Sequence, residues 1–118
     1  NRPRLRGDAM NYRNLWYPAG NGNWHHFVVT EYPLKRGIGS EVRVAYETTN
    51  SICQQIPTDV DTFSRALQCA AWNLAPSEAR AVQNLRLLPD GTVTGISGQS
   101  ECSVCRRTHG ADIQHAAE

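Results

Sequence analysis

Residues 24–32, Trp24-His25-His26-Phe27-Val28-Val29-Thr30-Glu31-Tyr32, decide how this chain folds. The stretch is rich in β-branched and aromatic side chains and is bounded by turn formers, which predicts a β-strand. Alternation places Trp24, His26, Val28, Thr30 and Tyr32 on one face, and His25, Phe27, Val29 and Glu31 on the other. A loop, Pro33-Leu34-Lys35-Arg36-Gly37-Ile38-Gly39, follows. Glu41 to Thr48 then predicts a second strand, with Val42, Val44 and Tyr46 on one face and Arg43, Ala45 and Glu47 on the other. The two strands are expected to pair as an antiparallel hairpin.

Working outward, Asp59 to Leu74 predicts the main helix. Thr58 is placed to cap it, Asp61 sits in its first turn, and Pro76 prevents its continuation. Val60, Phe63, Leu67, Ala70, Ala71 and Leu74 recur at helical spacing, which predicts a buried stripe. Cys69 and Trp72 fall off that stripe. Residues 77–84 leave a short second helix open. Leu85 to Leu88 and Thr92 to Ser97 predict a hairpin about Pro89-Asp90-Gly91, whose residues suit a tight turn. Upstream, residues 1–23 are polar and Gly/Asn/Arg-rich, and read as an irregular arm. Residues 24–107 read as the core, and 108–118 as a loose tail. The expected fold is a single α+β domain, an antiparallel sheet of about four strands with one main helix packed across it.

A chain of 118 residues, 40% hydrophobic and 19% charged, is sized for one core and is not disordered by composition. Its net charge of +1 leaves no global field to gather nucleic acid or anionic surfaces. No apolar run reaches the roughly 18 residues of a membrane span. The absence of a starting Met and of a leader pattern reads as a processed, mature product or a trimmed stretch of a longer chain. Cys53, Cys69, Cys102 and Cys105 are an even number in a short chain, which predicts disulfide bracing and secretion into an oxidising compartment. Three connectivities remain open.

Several constellations carry chemistry. His25 and Glu31 share a strand face, roughly 20 Å apart along it. With Arg43 from the neighbouring strand they make a candidate catalytic set: a carboxylate base, a histidine acid and an arginine for a phosphate. The run His25-His26-Phe27-Val28-Val29-Thr30-Glu31-Tyr32-Pro33, then Arg43-Val44-Ala45-Tyr46 and Ile52-Cys53, resembles the central strands of the microbial ribonuclease T1 and sarcin-like family. The resemblance covers about a third of the chain. Two features depart from it: no histidine follows Cys53 in Gln54-Gln55-Ile56-Pro57-Thr58, and the main helix follows the strands instead of preceding them. It therefore implies the non-catalytic branch, secreted fungal effectors that look like ribonucleases and have lost the active site.

Cys102, Cys105, His109 and His115 form a candidate zinc group, but only the Cys-x2-Cys half matches a known half-site. Trp16, Tyr17, Trp24, Tyr32 and Trp72 are many large aromatics for a small core, and form a candidate binding set. The expected function is that of a small secreted effector or toxin-like protein, acting without catalysis by binding a host or competitor macromolecule. A secreted endoribonuclease and a zinc-binding module are the alternatives. No cofactor is expected. The expected partner is a protein in preference to RNA, and the expected state is a monomer.

Overall fold

The computed structural model describes residues 9–98, 100–101 and 108–109. They form an α+β fold. Strands β1 (Asn11–Gly20), β2 (Asn23–Pro33) and β3 (Ser40–Thr49) make an antiparallel sheet in the order β1-β2-β3. Helices α1 (Val60–Trp72) and α2 (Pro76–Gln83) follow. Two short two-stranded ladders complete the order: β4 (Arg86–Leu87) with β5 (Val93–Thr94), and β6 (Ser100–Glu101) with β7 (Thr108–His109). Among the described residues the main sheet thus has three strands, not about four, and the short second helix that residues 77–84 left open is present as α2.

The expectation of an irregular arm over residues 1–23 fails at 11–20, which is a ten-residue strand. The cause is Asn21-Gly22. Gly20 pairs with Asn23 across it, and Asn21 and Gly22 have φ of 54° and 76°. Two consecutive positive φ values are what a type I′ hairpin turn requires. Pro18 lacks an N–H, and a strand tolerates that only at a sheet edge or a bulge. β1 is an edge strand, and its register shifts between Pro18 and Gly20.

Directly opposite residues of an antiparallel pair share a face. The first face therefore carries Leu15, Tyr17, His25, Phe27, Val29, Glu31, Val42, Val44, Tyr46 and Thr48. The second carries Tyr12, Asn14, Trp16, Trp24, His26, Val28, Thr30, Tyr32, Arg43, Ala45, Glu47 and Thr49. β2 is buried on both faces from His25 to Thr30. That explains why its residues read as an almost unbroken apolar run.

α1 closes the first face. Its cap is Asp59, whose carboxylate accepts from the Asp61 N–H at 3.3 Å. The expected cap, Thr58, is instead buried against Tyr46 and Thr48. Phe63, Ala66 and Ala70 are the buried positions of α1, and Leu67 and Leu74 pack at the margin. Val60, expected on the stripe, is exposed. With Phe27, Val29, Val44, Tyr46, Val82, Leu85 and Val93 these residues form the hydrophobic core.

Pro76 ends one helix by starting the next, since φ is preset and no donor is lost at the first helical position. Glu78 is fully buried there. One carboxylate oxygen accepts from the Ala75 N–H at 3.1 Å, and the other from Arg13 Nε at 3.3 Å, so α2 is tied to β1. The expected turn at 89–91 is present: Gly91 N–H donates to Leu88 C=O at 2.9 Å, with φ of 90°. Gly95 (φ 94°) lies so close to Asn84 that a Cβ would sit 2.7 Å from its carbonyl oxygen, so glycine is required. Beyond it, Ser97 bonds to Val44 on the outer edge of β3 through both its N–H and its hydroxyl. Thr108 and His109, expected in a loose tail, pair with Glu101 and Ser100.

The described residues contain no disulfide. Cys53 is buried and Cys69 is exposed, and they are not joined to each other. Cys53 lies in the turn after β3, on the side where Thr48 meets Thr58 just before α1. Cys69 is ten residues beyond Asp59, about 15 Å down the helix, while a disulfide needs Cα atoms within about 7 Å. Cys102 and Cys105 lie outside the described residues. The expected staple at Cys69 is thereby corrected. Cys69→Ser is expected to leave stability within about 0.5 kcal/mol of wild type, read as an unchanged melting temperature with and without reductant.

Candidate functional site

Two adjacent histidines of β2 point to opposite faces, and each organises polar groups there. On the first face His25 is fully buried between the sheet and the start of α1. Its Nε2 lies 2.7 Å from Thr62 Oγ1 and its Nδ1 2.6 Å from the Tyr46 hydroxyl. Tyr46 continues to Thr48 at 2.7 Å and to Thr58 at 3.1 Å. A neutral imidazole donates through one nitrogen and accepts through the other, which suits two hydroxyl partners. The network fastens the first turn of α1 to β2 and β3.

Burial depresses the His25 pKa from 6.5 to about 4, against a smaller upward pull from Asp59. The unfolded chain therefore binds a proton more readily than the folded one between those values. His25 contributes stability that is complete above pH 6.5 and is lost as pH falls toward 4. Between neutral pH and pH 4, wild type is expected to lose about 2–3 kcal/mol more than a His25→Gln variant. Urea melts of both proteins across that range check it.

On the second face, His26 and Glu47 are directly opposite in the β2–β3 register and wholly buried. His26 Nε2 donates to Asn14 Oδ1 at 2.6 Å. Its Nδ1 faces Glu47 Oε2 at 3.6 Å. Gln55 Nε2 donates to Glu47 Oε1 at 3.0 Å, and Gln55 pairs with Thr49 through a single β-bridge. Trp16 lies flat on the imidazole, 3.7 Å between ring centres and 6° between planes. Neither His26 nor Glu47 is open to solvent.

The expected catalytic set is not brought together. Glu31 pairs with Val42 and sits on the first face, whereas Arg43 is opposite Thr30 and sits on the second. His25 is buried at the far end of the sheet from Glu31. Glu31 accepts from Ser40 Oγ and, at 2.9 Å, from Asn11 Nδ2. Those bonds, led by Ser40, hold its carboxyl below the ordinary range. Arg43 bonds to Glu41 at 3.2 Å and lies 4.9 Å from the Tyr32 ring centre.

The aromatic candidates divide. Trp16, Trp24 and Tyr32 share the second face, joined by Tyr12, which the sequence reading did not single out. Trp24 is 41% exposed and the other three are half-buried. Tyr17 is on the first face, against Phe27, and accepts from Asn73 Nδ2 at 3.3 Å. Trp72 stands 89% exposed on α1. No family model, curated protein or solved structure matches the chain. Of the candidate zinc residues, the backbone of His109 lies in β7, and Cys102, Cys105 and His115 are outside the described residues. Among the described residues, no group of three or more His, Cys, Asp or Glu is placed to hold a metal ion. No helix there is long and apolar enough to cross a membrane.

Sequence reasoning missed Asn14, Trp16 over His26, Glu47 and Gln55 as a unit. The signal was present in part, since alternation already put His26 and Glu47 on definite faces of their own strands. Only the register joins them.

Proposed function

We propose that this chain is a small secreted binding protein, effector-like or toxin-like, that engages a host or competitor protein through the aromatic second face of its sheet. The observation that carries the reading is the grouping of Tyr12, Trp16, Trp24 and Tyr32 around a sealed centre. Aromatics and arginine are the side chains that anchor interfaces. The acid–base pair on that face, His26 with Glu47, is enclosed and so has no reach to a substrate. A protein partner is favoured over RNA because Arg43 is matched by Glu41 and the chain's net charge is only +1, whereas phosphate backbones are held by surplus cations. Secretion belongs to the same proposal and rests on the even cysteine count.

A photo-crosslinker placed at Trp24 is expected to capture one defined partner, and the same probe at Gln68, exposed on α1, is expected not to. Trp24→Ala should abolish the complex. In parallel, purified protein and its Glu31→Gln variant are expected to leave RNA equally intact. RNA cleavage by wild type that disappears in Glu31→Gln would replace this reading with the ribonuclease one.

A further inference from the structure

The loop between β2 and β3 exposes what soluble loops usually hide. Ile38 is fully exposed and Leu34 is 43% exposed. Met10, bonded through its N–H to Glu31 C=O and therefore beside the same end of β2, is 54% exposed. Between the two loop apolar residues stand Lys35 and Arg36, also exposed. Neither has an ion-pair partner among the described residues. The acids of the two flanking strand ends are engaged elsewhere, Glu31 by Ser40 and Asn11, and Glu41 by Arg43. Gly37 and Gly39 hold φ of 83° and 125°, conformations that keep the turn tight and Ile38 at its apex. Two long paired strands carry this apex away from α1 and from Trp24.

An exposed apolar apex beside two cations that have no ion-pair partner among the described residues has a specific complement. Ile38 protrudes fully from the loop with two cations next to it in the chain, so the apolar and the basic groups are offered together. A bilayer accepts a protruding aliphatic side chain among its headgroups, while anionic lipids meet the neighbouring cations. Lys and Arg suit that depth because their long stems lie along apolar surface while the charge stays in water.

We propose that the β2–β3 loop is a peripheral docking site for an anionic lipid surface, with Ile38 and Leu34 entering the headgroup layer and Lys35 and Arg36 binding acidic lipid. It is independent of the protein-binding reading, since it uses neither the second face nor its aromatics.

The test is co-sedimentation with phosphatidylcholine vesicles, with and without phosphatidylserine. Wild type is expected to bind only the mixed vesicles, and less as salt is raised. At about 1 kcal/mol per cation near such a surface, the Lys35→Gln/Arg36→Gln pair is expected to lower partitioning about 30-fold. Ile38→Ser is expected to lower it several-fold at unchanged charge. Arg80→Gln, a remote exposed cation on α2, should bind as wild type does. All four positions are exposed, so unchanged circular dichroism confirms folding. Equal binding to both vesicle types, no binding, or loop variants that bind like wild type would each overturn the proposal.

Discussion

Replacing His26 by alanine is expected to cost about 3–5 kcal/mol, because it strips one member from a buried pair and leaves Glu47 in the interior without it. The loss includes the flat stack on Trp16, an aromatic contact worth about 0.5–1.5 kcal/mol. It also includes the bond to Asn14. The physical content of the claim lies in a second variant. Taking two polar partners out of water costs about as much as their mutual attraction returns, so exchanging both for apolar residues of similar volume is often neutral. His26→Leu/Glu47→Met is therefore expected to recover much of the loss. Urea denaturation of wild type, the two single variants and the double variant closes the cycle. Strictly additive single effects would show that the two side chains do not act as a pair.

Phe63→Ala is expected to cost about 3–5 kcal/mol, the range for emptying a buried aromatic site. Phe63 is 5% exposed and meets Tyr46 edge-on at 5.4 Å and His25 at 6.2 Å between ring centres. Its removal opens a void at the point where α1, β2 and β3 converge and where the His25 network begins. Leu67 is the internal comparison. It lies at the core margin, so Leu67→Ala should cost about 1 kcal/mol, below the range for full burial. A Phe63→Ala protein as stable as Leu67→Ala would mean that α1 is rotated from the position described.

Much of the fold was legible because its signals are local. β2 and β3 announce themselves by β-branched and aromatic runs, α1 by spacing and a following proline, and the 89–91 turn by its residues. β1 was not read, because Arg13, Asn14 and Pro18 interrupt its alternation, although Asn21-Gly22 is a strong hairpin signal in its own right. The site fared worse for a different reason. Alternation says which residues of one strand share a face, but not which residues of the neighbour join them. That depends on register, and a shift of one residue turns a strand's whole set over. The six residues between Pro33 and Ser40 set Glu31 opposite Val42 and His26 opposite Glu47. With that offset, Arg43 leaves the company of Glu31, and the expected catalytic set separates while an unsuspected buried pair forms.

The strand order of the main sheet also governs how the chain folds as it is made. β1, β2 and β3 are neighbours in sequence as well as in space, joined by connections of two and six residues. Short-range pairing of this kind closes quickly, since little loop entropy is lost. The meander can therefore form once Thr49 has emerged, well before Val60 to Trp72 are available to cover its first face. At synthesis rates of about 5–20 residues per second, that interval lasts on the order of seconds. During it the aliphatic and aromatic side chains of β2 are open on both sides, beside an uncovered strand edge. The nascent chain is most exposed to misassociation in this window, and chaperone demand should peak there.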